Sequence, residues 1–278
     1  MKLKDYVTLG NLLGGFAAVV ALFLGSFDWA CLLIYIAYVF DVLDGPVARL
    51  TGQYDTFGSV LDEVCDYITN SVMASFVLFW AFWKNVQYPL PLAAIIAAFP
   101  LTLGTLRQAR SMDRPLSYPC YWLGLPRPVL ALFALSLVNS SWFNAKAAPW
   151  NVVAPASVAL LIVVGSFFHL SRIPFPNHQK RRFMGPMRFG KWVFLGGSPV
   201  MFVVSAALGN GRLVYDYLVF LFVSYVFFSW TQIPKEDLRR IRAYIATGTL
   251  QNPLVHRESN WRPKTRVPAL EPTTDATE

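Results

Sequence analysis

The sequence predicts an all-α fold, a polytopic membrane bundle of about eight transmembrane helices with both termini cytoplasmic. Three observations carry that expectation. Of the 278 residues, 55% are hydrophobic and 14% charged, and the mean hydropathy is +0.43, which is the composition of an integral membrane protein. The apolar residues fall into eight segments, at about 11–26, 29–50, 58–84, 88–107, 127–143, 151–171, 191–208 and 213–231. With the N-terminus cytoplasmic, Lys84, Lys146 and Arg212 are the only basic residues on the far side, so 21 of the 24 lysines and arginines lie inside or at the inner boundary. That partition is the one the positive-inside rule demands.

The first segment is short and Gly-rich and follows Lys2 and Lys4, as a secretory signal would, but Ser26-Phe27-Asp28-Trp29 is a poor cleavage site. The second and third segments are joined by the polar run 51–57, which contains Gly52 and reads as a tight turn between antiparallel helices. Trp29, Trp83, Trp122, Trp142, Trp150 and Trp230 sit near expected helix ends, as an interfacial belt does. Residues 1–234 read as one transmembrane domain and 235–278 as a cytoplasmic tail, in which Lys235 to Ile245 forms a basic amphipathic surface helix and the remainder is disordered. The net charge of +8 is accounted for by topology and by attraction to anionic membrane lipids, with no need of nucleic acid. Cys31, Cys65 and Cys120 lack metal-ligand spacing and read as packing residues, and His169, His178 and His256 are dispersed, with His169 and His178 minor candidates for headgroup contact.

Against this apolar background the acids of the second and third segments stand out. Asp41 and Asp44 are three apart and share a helix face, with Ala48 one turn further on, and Asp62 and Asp66 are four apart on the next helix. Antiparallel packing brings four carboxylates together near one membrane boundary, where each ionised group is costly and the four repel one another. An all-oxygen cluster suits hard divalent cations, so two Mg2+ or Mn2+ ions bridged by shared carboxylates are the expected occupants. Such a pair clamps a diphosphate for in-line displacement. Gly45, Ala48 and Gly58 leave room for a ligand against the backbone, and Arg49 offers a fork suited to phosphate. Interhelical polar contacts, or an Asp41–Arg49 pair, would explain one or two of the acids but not four together with three small residues. Asp55 has no spacing partner and reads as a loop acid.

The run Asp41-Val-Leu-Asp44-Gly45-Pro-Val-Ala48-Arg49, eight further residues, and then Gly58-Ser-Val-Leu-Asp62-Glu-Val-Cys-Asp66 resembles the CDP-alcohol phosphotransferase family at every defining position. The resemblance implies a membrane enzyme of phospholipid synthesis that moves a phosphatidyl group from CDP-diacylglycerol to a small alcohol and releases CMP, and it suggests a homodimer. Carried onto this sequence, it has Asp41, Asp44, Asp62 and Asp66 hold two divalent ions, with Asp66 doubling as general base. Gly45, Ala48 and Gly58 frame the cytidine, and Arg49 steadies the polar groups.

Thr8-Leu9-Gly10-Asn11, Leu106-Arg107-Gln108-Ala109-Arg110, Tyr121 to Pro128 and Ser171 to Pro176 resemble the phosphatidylserine synthase branch, which makes L-serine the favoured acceptor. Tyr67-Ile68-Thr69-Asn70-Ser71 departs from that branch toward phosphatidylcholine synthases, so choline, inositol phosphate and glycerol 3-phosphate stay open as acceptors. Arg107 and Arg110, three apart, read either as topology anchors or as a bidentate site for a carboxylate or phosphate. The basic run 177–191 reads as a solvated, lipid-facing loop. Asn11 reads as a helix cap or, if it faces the acids, as a donor-lipid contact. A cation transporter is the alternative of a different class, but it leaves Gly45, Ala48 and Gly58 without a role.

Overall fold

The computed structural model of the chain describes residues 2–52, 56–113, 117–118, 121–177 and 186–247. The expected disordered tail, Asp55, Cys120, His178, His256 and Lys180 to Arg182 lie outside the described residues, as do the side chains of Arg49, Arg188 and Trp230.

Small residues set the first helix pair. Helix α1 (Leu3–Phe23) ends at Gly25, whose φ of +76° lets the chain reverse into α2 (Phe27–Thr51). The two helices lie so close that a Cβ on Gly14 would come within 3.0 Å of the Ala37 Cβ, and Ala18, Ala21, Ala30 and Ile34 are buried along the same seam. α1 begins eight residues earlier than the apolar segment at 11 does. Lys4, Asp5 and Thr8 belong to it and are buried: Lys4 and Asp5 pair with each other over Gly58 of α3, and the Thr8 hydroxyl reaches Asp44 on α2.

The third span runs from Thr56 to Asn85, and it is not one regular helix. It consists of α3 (Thr56–Tyr67), a π-helical turn at Ile68–Met73, α4 (Ala74–Trp80) and a second π-helical turn at Ala81–Asn85. α5 (Leu90–Asp113) returns across the bundle, followed by α6 (Arg127–Asn139), α7 (Trp150–Phe167), α8 (Pro186–Ala207), α9 (Arg212–Phe228) and α10 (Lys235–Thr247). Each of the expected apolar segments thus falls on helix. The spans Leu3–Phe23, Phe27–Ala48, Thr56–Asn85, Leu90–Ser111 and Trp150–Leu170 are long and apolar enough to cross a membrane, whereas α6 has only 13 residues. At about 1.5 Å per residue α6 falls short of a bilayer of about 30 Å. It acts as the hub of the bundle, buried continuously from Leu130 to Asn139 and tied to α2 where the Tyr35 hydroxyl donates to the Leu132 carbonyl at 3.1 Å.

The fold also contains a small antiparallel sheet that the sequence does not announce. Its strands are β1 (Ser117–Tyr118), β2 (Tyr121–Leu123) and β3 (Pro174–Pro176), in the order β1-β2-β3, with Trp122 opposite Phe175. The amphipathic helix expected after Lys235 is present as α10, but its apolar face packs on this sheet: Ile241 is buried with Tyr118, Tyr121 and Leu123. The Tyr121 hydroxyl donates to Asp237 Oδ2 at 2.8 Å, both groups buried.

β2 runs into Gly124, which joins the sheet to α6. Its φ is +80°, and a Cβ there would stand 2.7 Å from the His169 carbonyl oxygen and 2.8 Å from that of Ser171. Gly124→Ala therefore meets both a disfavoured backbone and fixed carbonyls. It is expected to lower the thermal midpoint of the detergent-purified protein by several degrees. Gly209→Ala, at φ +63° with nothing within 4 Å, is the control and should move it less. Equal shifts would show that the close approach at Gly124 is unimportant.

Candidate active site

Helices α1, α2 and α3 each present polar residues at helical spacing toward one another. From α2 come Asp41 and Asp44, and from α3 come Asp62 and Asp66. One oxygen each of Asp41, Asp62 and Asp66 lies within 4.8 Å of the others. Asp44 lies outside that compact group but within electrostatic reach of Asp41, Asp62 and Asp66. The acids of α2 and α3 therefore converge, three in a compact group with Asp44 beside them.

α1 secures the outer oxygens. Asn11, fully buried, donates its Nδ2 to Asp66 Oδ1 at 2.9 Å, and the Thr8 hydroxyl lies 3.1 Å from Asp44 Oδ2 and 3.1 Å from the Lys4 carbonyl. Asn11 lies within α1 and is not a helix cap; its side chain faces the acids. Thr69 in the first π-turn reaches back to the Asn11 carbonyl at 3.4 Å, so α3 and α1 are linked on both sides of Asp66.

Gly58 is buried because the Lys4 and Asp5 side chains lie over it; a Cβ there would run into Lys4 and come within 2.7 Å of Asp5 Oδ1. Gly45 and Ala48 sit half-buried on α2, on the stretch that bears Asp41 and Asp44. Cys65, next to Asp66, is buried, as packing requires.

The donor set fits hard divalent cations. All of its ligand atoms are carboxylate oxygens, and Asp62 Oδ1 is buried without a hydrogen-bond partner, so an acceptor is left unsatisfied inside the cluster. Like charges held this close need compensation of that kind.

A cationic wall faces the acids from the far side. The Arg127 guanidinium, at the first residue of α6, lies within electrostatic reach of Asp41, Asp62, Asp66 and Glu63, and 5.9 Å from the centre of the Tyr67 ring. Arg107 on α5 is buried close to Arg127, with its Nε and Nη2 unpartnered. Arg110, expected beside Arg107, instead points outward and donates to the Leu170 carbonyl at 3.1 Å. His169 is buried with its Nδ1 2.8 Å from the Leu125 carbonyl oxygen, near both Arg107 and Arg127. Sequence spacing missed Arg127, since Pro126 and Pro128 beside it read as a helix start. His169, a minor candidate for headgroup contact by sequence, is held at the Gly124 junction by the Leu125 carbonyl.

The family model for CDP-alcohol phosphatidyltransferases matches residues 1–230. The chain belongs to this family. Among curated relatives, this phosphatidyltransferase is similar to the CDP-diacylglycerol–serine O-phosphatidyltransferase of Methanocaldococcus jannaschii, 31% identical over 187 residues that cover 66% of this chain and 78% of the relative. It is also similar to the archaetidylserine synthase of Methanothermobacter thermautotrophicus, 28% identical over 179 residues covering 64% and 70% of the two chains. Among solved structures, the phosphatidylinositol phosphate synthase of Mycobacterium tuberculosis with CDP-DAG bound aligns with a TM-score of 0.46 at 23% identity, covering 66% of this chain and 92% of that one. Family membership and the apolar spans make this phosphatidyltransferase an integral membrane enzyme of phospholipid synthesis, and the transporter alternative falls away.

Proposed function

We propose that this enzyme transfers a phosphatidyl group from CDP-diacylglycerol to L-serine, releasing CMP on the cytoplasmic side of the membrane. The observation that carries this reading is the carboxylate cluster between α2 and α3, set against the Arg107–Arg127 wall. Asp41, Asp44, Asp62 and Asp66 would hold two divalent ions, Mg2+ or Mn2+. When bound, these supply charge neutralisation for the diphosphate and for the leaving CMP. Gly45 and Ala48 frame the cytidine, Arg49 steadies the diphosphate, and Asn11 orients Asp66 through its Nδ2, while Gly58, covered by Lys4 and Asp5, makes room for those two side chains rather than for the ligand.

The rest of the reaction belongs to the chain's own groups. Asp66 accepts the proton of the serine hydroxyl, whose oxygen attacks the phosphorus attached to the diacylglycerol. A P–O bond forms as the bond from that phosphorus to the bridging diphosphate oxygen breaks, and CMP departs with that oxygen. Among the described residues no Ser, Cys or His side chain occupies a nucleophile's position between the four acids, which supports direct displacement. Arg107 and Arg127 together offer a buried fork for the acceptor's carboxylate, and the serine-named relatives support the same acceptor. A homodimer is part of the same family reading.

The test is an acceptor panel. Purified protein with CDP-diacylglycerol and Mn2+ is given labelled serine, choline, inositol phosphate or glycerol 3-phosphate. Serine alone is expected to raise CMP release substantially and to enter lipid in equal amount. Transfer to choline only, or to a phosphorylated acceptor only, would overturn serine while leaving the chemistry intact. No CMP with any acceptor would overturn both.

A further inference from the structure

From the unpartnered polar atoms one helical turn beyond Asp66 we infer that Asn70 recognises the amino group of the acceptor, and so makes the enzyme selective for an α-amino acid over a hydroxy acid of the same size. This inference rests on the serine reading above.

Asn70 sits in the π-turn Ile68–Met73, 5% exposed, with neither its Oδ1 nor its Nδ2 hydrogen-bonded. A carboxamide buried in this way forfeits both interactions unless a ligand supplies them. Its neighbours indicate where it faces. Thr69 and Met73 lie against α1, at Asn11 and Gly15. On the other side the Tyr67 hydroxyl is 2.8 Å from the Thr105 hydroxyl of α5, and the Tyr67 ring is beneath Arg127. Ser71 also faces α5: its Oγ lies 3.1 Å from where a Cβ on Gly104 would be, and His169 Nε2 lies 3.9 Å from the same point.

Asn70 falls between these two faces, one turn from Asp66, and Gly104 is one turn from Arg107. π-turns recur at functional sites because they turn side chains away from the regular helical repeat.

Arg107 is 6% exposed, and the charged groups that act on it are Arg127 and Arg110, both cations. A buried guanidinium in cationic company calls for an anion. An acceptor with its hydroxyl at Asp66 and its carboxylate on Arg107 and Arg127 has its third substituent, the ammonium, still to satisfy. Among the described residues two buried, neutral acceptors near Asp66 lack a partner, Asn11 Oδ1 on α1 and Asn70 Oδ1; Asn70 is the one between the α1 and α5 faces, and its Nδ2, also unpartnered, is placed to donate to the carboxylate. Three contacts of different chemistry then read hydroxyl, carboxylate and ammonium.

The experiment compares L-serine with 3-hydroxypropionate, which lacks only the ammonium, in wild type, Asn70→Ala and the near-isosteric Asn70→Leu, measuring CMP release at saturating CDP-diacylglycerol. The variants are expected to lose about 10- to 100-fold in kcat/KM for serine, mostly through KM. Their kcat/KM for 3-hydroxypropionate and their KM for CDP-diacylglycerol should stay within about twofold of wild type, so the preference for serine collapses. Asn70→Leu preserves the volume of the site and gives the same comparison should Asn70→Ala fold poorly. Equal losses on both acceptors, or a raised KM for the CDP-lipid, would overturn the role of Asn70 while serine transfer by wild type stands. Wild type that does not use serine would overturn the acceptor reading and this inference with it.

Discussion

Asp66→Asn is expected to reduce CMP release by about a thousandfold or more, the range for loss of a general base compounded by loss of a charged ligand. The substitution is informative because it leaves the scaffold in place. Asn11 donates to Asp66 Oδ1, and an asparagine keeps a carbonyl oxygen able to accept that hydrogen bond. It also removes one negative charge from a crowded cluster, so the thermal midpoint without metal should hold or rise. Asp66→Ala removes the acceptor as well and leaves Asn11 unsatisfied at full burial, so it should be both inactive and less stable. Measuring rate and midpoint on both variants separates the base from the support. An Asp66→Asn enzyme within tenfold of wild type would move the base elsewhere.

Removal of divalent metal should have the other large effect. Stripping the purified protein with a chelator is expected to abolish transfer, and Mg2+ or Mn2+ should restore it. Two ions shared among Asp41, Asp44, Asp62 and Asp66 predict that the rate at low metal rises more steeply than first power in metal concentration. Binding should also raise the thermal midpoint, since the ions bind the assembled cluster and not the unfolded chain. Asp44→Asn should flatten the metal dependence toward first power while the compact group of Asp41, Asp62 and Asp66 is kept. Full activity after stripping would contradict the metal reading.

The acids were legible in the sequence because two periodicities coincide: i, i+3 on α2 and i, i+4 on α3 mark faces that antiparallel helices bring together. The helical spans were legible from their apolar runs. What could not be read depends on contacts between distant segments. Lys4 and Asp5 look like a polar start to the chain, yet they are helical and buried because Gly58, far along the sequence, makes room for them.

The spacing of Arg107 and Arg110 suggests a shared face, but Arg110 finds the Leu170 carbonyl and only Arg107 turns inward. The strands β1 to β3 have two or three residues each, too short for any alternation to show, and two of the residues of β3 are prolines. The π-turn after Asp66 has no sequence signature, which is why Asn70 could be seen as a departure from a family pattern but not as a group facing the acceptor's position.

Anomalous diffraction from crystals grown with Mn2+ and CDP-diacylglycerol tests the central claim most directly. Two manganese peaks are expected among Asp41, Asp44, Asp62 and Asp66, with the diphosphate against them and the cytidine toward Gly45 and Ala48. No manganese at these four residues, or a CDP-lipid bound away from them, would contradict the account.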